Sequence, residues 1–255
     1  ATKAAVLGRT EVWMRKGKKW LITFLILIIL LGAGYFLSSE FLQVEEIKVS
    51  GNREIDAQKI IQLSGVEKGQ NALLLNRGKV RENLESNPYL KVVDVKYVFP
   101  TTIELVVEER EEYANILFTD TFITIDAEKH ILAVTKQKSQ IQVPCVIGLT
   151  PNSFDVGKEM VCEDTVRLDL MTEILNELEL YEMKGNISEI NLESISNITM
   201  LTYEGMTIKM GNGEMIEDKI AWINEVLPFL LEKGYEKGIL DVSTGKDATY
   251  RQEAS

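Results

Sequence analysis

The chemistry open to this sequence depends on few residues, beginning with a Ser-x-x-Lys pair. Ser243 and Lys246 have the spacing with which a lysine activates a serine nucleophile in penicillin-binding enzymes. Those enzymes place the serine at the start of a helix and also carry a Lys-Thr-Gly motif. Here the pair follows a predicted strand, and the sequence contains no Lys-Thr-Gly. We therefore interpret the spacing as a coincidence.

The two cysteines and the single histidine offer a second possible chemistry. Cys145 and Cys162 lie 17 residues apart. They can form a disulfide if the fold brings them together, or remain unpaired small core residues, and the sequence leaves both possibilities open. A Cys–His nucleophile would need a contact with His130 that no pattern indicates. Two cysteines are also too few for a four-ligand zinc finger.

The acidic side chains show no metal-binding pattern. Glu108–Glu112 contains four glutamates but lacks the spaced acids and the glycine turn of a calcium loop, so a solvated charged stretch is our interpretation. The net charge of −11 argues against a nucleic-acid binder, which needs a basic face. The sequence therefore predicts no catalytic, cofactor-binding or metal-binding residue, and we expect a binding protein rather than an enzyme.

An uncharged apolar run, Trp20–Leu37, separates a basic N-terminal segment from an acidic remainder. Residues 1–20 sum to +5, and the other 235 residues sum to −16. As a helix the run would span about 27 Å, close to the hydrocarbon thickness of a bilayer. It is longer than the apolar part of a cleaved signal peptide, usually about 7–15 residues. We therefore predict a cytoplasmic tail (residues 1–19), a single membrane-spanning helix (20–37) and domains outside the cytoplasmic membrane.

Residues 42–110 have the pattern of a small α+β domain. Asp56 can cap a first helix that Gly65 closes, and Asn87-Pro88 ends a second helix. The predicted order is strand, helix, helix, strand, strand, near Val44–Val49, Asp56–Leu63, Arg77–Glu85, Val92–Phe99 and Thr102–Glu108. About 65 residues suffice for one small core.

Four motifs in this region resemble a POTRA domain. They are, in order, I-x-V-x-G-N at Ile47–Asn52, Gly69 with Leu73-Leu74, N-P-Y-L-x-x-V-x-V at Asn87–Val95, and F-P-T-T-I-E-L-V-V-E-E-R at Phe99–Arg110. One POTRA domain directly after one N-terminal membrane helix is similar to the FtsQ/DivIB family of bacterial cell-division proteins. That family often has E-R-x-P after the last POTRA strand. This chain has Glu109-Arg110-Glu111-Glu112 there, so its linker is less restricted.

Residues 111–251 predict a second domain, a mixed and mainly antiparallel β domain with two helices, followed by a short tail at 252–255. The helices are expected at Asp164–Tyr181 and Met215–Lys233, each with one apolar stripe. Strands are expected near Asn115–Phe118, Phe122–Ile125, Ile131–Thr135, Val143–Ile147, Ile187–Leu192, Ile198–Tyr203, Met206–Met210, Ile239–Val242 and Thr249–Arg251.

This second region resembles the β domain of the same family. The resemblance lies in Phe122–Asp126, Val143-Pro144 with Gly148, Val156-Gly157 and Gly238–Val242. Lys129 stands where the family's turn commonly has glycine, which puts the geometry of that turn in question.

The resemblance implies a division-site scaffold that acts outside the cytoplasmic membrane at the septum. Such scaffolds hold small bitopic proteins, FtsL and FtsB/DivIC, through the β domain, and the complex regulates septal peptidoglycan synthases. From the residues alone, an unpaired last strand could accept a partner strand. We predict partner contacts, with Tyr250 as the aromatic anchor, at Ile239, Leu240, Asp241, Val242, Thr249, Tyr250 and Arg251.

Two other classes of function remain open at this stage. A POTRA-bearing secretion or assembly factor would carry a long β-barrel, and this sequence lacks the many alternating strands that a barrel needs. A membrane-tethered envelope enzyme would need a pocket with converging titratable groups, which one sequence does not reveal.

Overall fold

The computed structural model describes residues 20–32, 34–35 and 42–252. Residues 20–32 and 34–35 are helical. Within the described residues, no helix combines the length and the apolar character needed to cross a membrane. The predicted cytoplasmic tail, part of the predicted membrane helix and most of the C-terminal tail lie outside the described residues. The chain divides into two compact units. The first contains the residues up to Leu84 together with Val92–Glu108. The second contains Glu85–Lys91 together with the residues from Glu109 onward.

The first unit contains a three-stranded sheet in which β3 lies between β1 and β2. β1 runs parallel to β3, with Glu46 opposite Thr102. The predicted strand-helix-helix-strand-strand order is confirmed, with one additional 3-10 turn. The elements are β1 (Glu46–Ser50), α1 (Ala57–Ser64), a 3-10 turn (Ala72–Leu74), α2 (Arg77–Glu85), β2 (Leu90–Val98) and β3 (Thr102–Glu109).

Local signals determine where α1 begins and ends. Asp56 caps it, because the Asp56 carboxylate accepts a hydrogen bond of 2.7 Å from the Gln58 backbone N–H. Gly65 follows the last turn in the left-handed conformation, at φ 69°. Ile60 on α1 and Leu84 on α2 are fully buried. Burial of these side chains supplies most of the stability that such short helices lack on their own.

The second unit contains a nine-stranded sheet with the order β12-β11-β10-β9-β8-β7-β4-β5-β6. Its elements are β4 (Ala114–Phe118), β5 (Thr121–Ile125), β6 (Ile131–Thr135), β7 (Cys145–Ile147), α3 (Thr165–Leu180), a 3-10 turn (Lys184–Asn186), β8 (Ile187–Asn191), β9 (Ile198–Thr202), β10 (Met206–Gly211), α4 (Ile216–Glu232), β11 (Gly238–Asp241) and β12 (Thr249–Arg251). Five neighbouring pairs are antiparallel, and three are parallel: β4–β7, β7–β8 and β10–β11. The predicted mixed, mainly antiparallel domain with two helices is confirmed.

One core joins this sheet to α3 and α4. Strand alternation is clear in β10, where Met206, Ile208 and Met210 are buried while Thr207 and Lys209 are half-buried. The buried stripes of the helices and the buried face of the sheet form a single cluster that includes Ile174, Leu178, Ile220, Ile223, Leu227, Ile116, Val146, Ile190, Met200, Ile208 and Leu240. The residues that alternate with these sheet positions point to the opposite face of the sheet.

Candidate functional site

β12 is the terminal strand at one end of the nine-stranded sheet. It pairs antiparallel with β11, and no other strand or bridge among the described residues pairs with it. In an antiparallel pair, alternate residues direct their N–H and C=O groups away from the partner strand. The outer side of β12 therefore presents backbone groups that an added strand can satisfy.

The opposite end of the sheet, at β6, is partly covered. The backbone N–H of Ile131 donates to Lys158 O at 2.9 Å, and Gly157 N–H donates to Ile131 O at 2.7 Å. These bonds occupy the beginning of the β6 edge with a loop of the same unit. Of the two ends, β12 is the one without such a loop among the residues that the structure describes.

Tyr250 holds β12 against the rest of the unit. Its hydroxyl donates to Lys237 O at 2.8 Å, and its ring lies 5.5 Å from the ring of Tyr235, centroid to centroid. Gly238 permits this close approach, because a Cβ at that position would lie 2.6 Å from Arg251 O. Tyr250 is thus half-buried and packs against the core, with part of its ring open to a partner.

Beside β12, the other face of the sheet carries a polar groove. A hydrogen bond from the Ser243 side chain holds the pKa of Asp241 below its usual value, and the charges of Lys209 and Arg251 act in the same direction. Arg251 is exposed at the edge and supplies a positive charge in an acidic chain. The groove is lined by Ile239, Asp241, Ser243, Thr244, Asp247, Thr249 and Arg251.

The structure separates the seven predicted contact residues into two groups. Leu240 and Val242 are completely buried, because strand alternation directs them to the helix side of the sheet. We therefore withdraw these two from the predicted contact set, since their side chains are core residues. The other five line the edge or the groove, with Thr249 and Arg251 exposed and Ile239, Asp241 and Tyr250 half-buried.

The other residues with chemical potential are not brought together. Ser243 and Lys246 lie in the turn between β11 and β12, not at a helix start. Cys145 and Cys162 are both free and buried, so the question of a disulfide is answered: they are unpaired core residues. Burial raises the pKa of the Cys145 thiol and raises that of Cys162 to about 11, which keeps both protonated.

His130 instead belongs to a charged cluster around Arg110 that sequence analysis missed. One guanidinium nitrogen of Arg110 contacts the Asp126 carboxylate, and it lies 3.1 Å from Glu128 Oε2 and 3.0 Å from His130 Nδ1. Asp126, Glu128 and His130 are close enough to hold a metal ion. The Arg110 guanidinium already supplies a cation among them, so their arrangement is explained without a metal.

One more contact belongs to the same cluster, and a second lies close to it in the sequence. Lys91 contacts Glu128, and this contact, followed by that from Arg110, lowers the pKa of the Glu128 carboxyl. Tyr89 donates from its hydroxyl to Glu112 Oε1 at 2.9 Å. Burial, with this hydrogen bond, raises the pKa of Tyr89 to about 12. The cluster orders the segment around residue 110 that the sequence suggested to be a loose linker.

Comparison with known proteins identifies the relatives of this fold. Residues 42–110 match the family model described as "POTRA domain, FtsQ-type". The chain is 27% identical to the cell division protein DivIB of Clostridium acetobutylicum over 216 residues, covering 84% of each protein. It is 26% identical to DivIB of Clostridium tetani, covering 86% of this chain and 83% of the relative.

A third relative carries the other name of the family. The chain is 25% identical to the cell division protein FtsQ of Syntrophotalea carbinolica, covering 78% of this chain and 70% of the relative. A solved extracytoplasmic domain of DivIB from Geobacillus stearothermophilus aligns with 49% of this chain at 18% identity, with a TM-score of 0.32 that supports no structural argument. Residues 42–110 therefore form a POTRA domain of the FtsQ type, and over most of its length the chain is similar to the cell division proteins DivIB and FtsQ.

Proposed function

We propose that this division protein is a non-enzymatic scaffold, anchored in the cytoplasmic membrane, that binds small single-pass division proteins outside the membrane at the septum. The partners are FtsL-like and FtsB/DivIC-like proteins, and through them the scaffold helps to regulate the septal peptidoglycan synthases. The observation that carries the proposal is the unpaired outer side of β12. A partner segment adds there as a further strand, with main-chain hydrogen bonds providing affinity.

The side chains around β12 would give this contact its specificity. The open part of the Tyr250 ring provides an aromatic surface, and aromatic side chains often dominate binding energy. Arg251 provides an exposed positive charge at the same edge. We therefore expect the partner segment to bring an apolar side chain to Tyr250 and a carboxylate to Arg251.

The membrane anchor is the second part of the proposal. Trp20–Leu37 contains no charged residue, and a basic cluster precedes it. Among the described residues of this run, the large apolar side chains are exposed, with fractions between 50% at Ile28 and 80% at Tyr35. A helix that is apolar on every side is normally covered by protein or by lipid. The basic cluster would keep the N-terminus in the cytoplasm.

Co-purification of the full chain with co-expressed partners tests the proposal. The change Tyr250→Ala should reduce recovery of both partners, because it removes the aromatic surface and loosens β12. Val134→Ala provides the matched control, since Val134 lies in β6 at the opposite end of the sheet and also packs against the core. Full recovery with Tyr250→Ala would exclude β12 as the binding site. Absence of both partners from the unchanged, folded chain would overturn the scaffold function itself.

A further inference from the structure

Four exposed apolar side chains of the first unit come from two separate segments. Leu73 and Leu74 lie in the 3-10 turn, with 47% and 72% of their surfaces exposed. Val98 is the last residue of β2 and Phe99 follows it, with 46% and 74% of their surfaces exposed. We call these four side chains the apolar tip. Scattered single apolar residues are common on protein surfaces, so the tip needs an explanation only if the two segments share a location.

Backbone hydrogen bonds place both segments at the same end of this unit. Val44 N–H donates to Gln70 O at 2.9 Å, immediately before the 3-10 turn. Glu45 N–H donates to Thr101 O at 2.9 Å, in the turn that follows Phe99. The segment that leads into β1 therefore runs between the two parts of the apolar tip. This is the end of the unit at which the chain arrives from the helical residues 20–32 and 34–35.

The covalent chain limits the distance between this end and those helical residues. Seven residue steps separate Tyr35 from Leu42. A fully extended chain spans at most about 3.6 Å per residue, so the separation is at most about 25 Å. If residues 20–35 lie in the membrane, as the proposed anchor requires, the apolar tip lies near the outer surface of the bilayer.

We infer that the apolar tip inserts into the outer interfacial layer of the cytoplasmic membrane and holds the first unit against the lipid. This inference rests on the anchor in the proposed function, but it adds a lipid contact that an anchor alone does not require. Leucine and phenylalanine side chains are suited to a depth of about 5–10 Å, at the boundary of headgroups and acyl chains.

Charges near the apolar tip indicate which kind of lipid contact to expect. Glu45 and Glu46 lie at this end of the unit, and Lys48 pairs with Glu46 at 3.4 Å. The two glutamates oppose the charge of Lys68, which precedes Gly69 at the same end, so we assign the main source of binding to the apolar side chains and not to anionic headgroups. The contact depends on apolar burial, and we expect it equally in vesicles of phosphatidylcholine and in vesicles that also contain phosphatidylglycerol.

Site-specific fluorescence of the full chain in such vesicles tests the inference. The variants Leu74→Cys and Phe99→Cys carry an environment-sensitive dye on each segment of the apolar tip. Leu180→Cys is the matched control, because Leu180 is 71% exposed but belongs to the second unit. Leu27→Cys reports on the anchor. The unaltered chain gives the background labelling, which should be low because Cys145 and Cys162 are buried.

We expect dyes at positions 74 and 99 to lose most of their emission to lipids that carry a nitroxide near the headgroup, and the dye at position 180 to keep its emission. Quenching at position 27 alone would leave the anchor intact and overturn the apolar tip. No quenching at position 27 would remove the anchor and the inference together. Equal quenching at positions 74 and 180 would show unspecific adsorption, and a blue shift at 74 without quenching would show that protein covers it. Either result would overturn the inference.

Discussion

Replacing Tyr250 tests how β12 is held at the sheet edge. In Tyr250→Phe only the hydrogen bond from the hydroxyl to Lys237 O is lost, which costs about 0.5–1.5 kcal/mol. Tyr250→Ala also removes the ring contact with Tyr235, worth about 0.5–1.5 kcal/mol, and about 1 kcal/mol of half-buried apolar surface. The total for alanine is about 2–4 kcal/mol.

This loss should appear as local opening of β12, because among the described residues β12 pairs with β11 alone. Hydrogen exchange of the full chain in detergent measures it. A change of 1.4 kcal/mol is tenfold in an opening equilibrium, so Tyr250→Ala should speed exchange in β11 and β12 by about 30- to 700-fold, and Tyr250→Phe by about tenfold or less. Val134→Ala should leave these strands unchanged. Equal exchange in the alanine variant and the unaltered chain would refute the role of Tyr250 in holding the edge.

Three further predictions concern the charged groups. Arg110→Met should lower the free energy of unfolding by about 3–5 kcal/mol, because it leaves the Asp126 carboxylate buried without its cation. In an Asp126→Asn background the same change should cost much less, and a double-mutant cycle measured by urea denaturation tests this difference. Lys219 is buried, and its ammonium donates to Asn212 O and Oδ1 at 2.8 and 3.2 Å. Lys219→Met should therefore lower the free energy of unfolding, measured by urea denaturation, by about 1–2 kcal/mol. A more stable variant would mean that the cost of burying the ammonium exceeds the gain from its hydrogen bonds. The lowered pKa of Asp241 stabilises the fold above the unfolded pKa of about 4, and this contribution is lost as the pH falls through the lower pKa of the folded state. The stability difference between the unaltered chain and Asp241→Asn should therefore hold near pH 7 and shrink once the pH falls below about 4, and a difference that stays constant in acid would contradict this.

Local signals in the sequence predicted most elements well. The helix Arg77–Glu85 and the strands Ile131–Thr135 and Thr249–Arg251 have the predicted bounds. Asp56 caps its helix as expected. Such features depend on a cap, a turn residue or a short run of alternation, all of which lie within a few positions of one another.

The turn at Lys129 shows how tertiary contacts replace a missing glycine. Lys129 adopts φ 66°, a conformation that glycine adopts more easily. The Asp126 side chain accepts from His130 N–H at 2.7 Å, and Lys129 O accepts from Met160 N–H at 2.7 Å. These hydrogen bonds hold the turn in its left-handed conformation although Lys129 stands where the family commonly has glycine.

Non-local features could not be predicted from one sequence. The parallel pairs β4–β7, β7–β8 and β10–β11 depend on which distant strands meet. The Arg110 cluster contains contacts between residues up to 37 positions apart, and the burial of Lys219 contradicts the usual exposure of lysine. Leu240 and Val242 were predicted as partner contacts because every residue of the strand was included, without separating its two faces. Alternation along that strand, together with knowledge of which face meets the helices, would have separated them from Ile239 and Asp241.

Hydrogen exchange of the full chain with and without a bound FtsB/DivIC-like partner tests the central proposal most directly. If the partner adds a strand to β12, the amides of residues 249–251 that face away from β11 should exchange faster in the free chain and more slowly once the partner is bound. The partly covered edge at β6 should not change. Partner binding that leaves β12 exchange unaltered would contradict strand addition at this edge and would require a different binding surface.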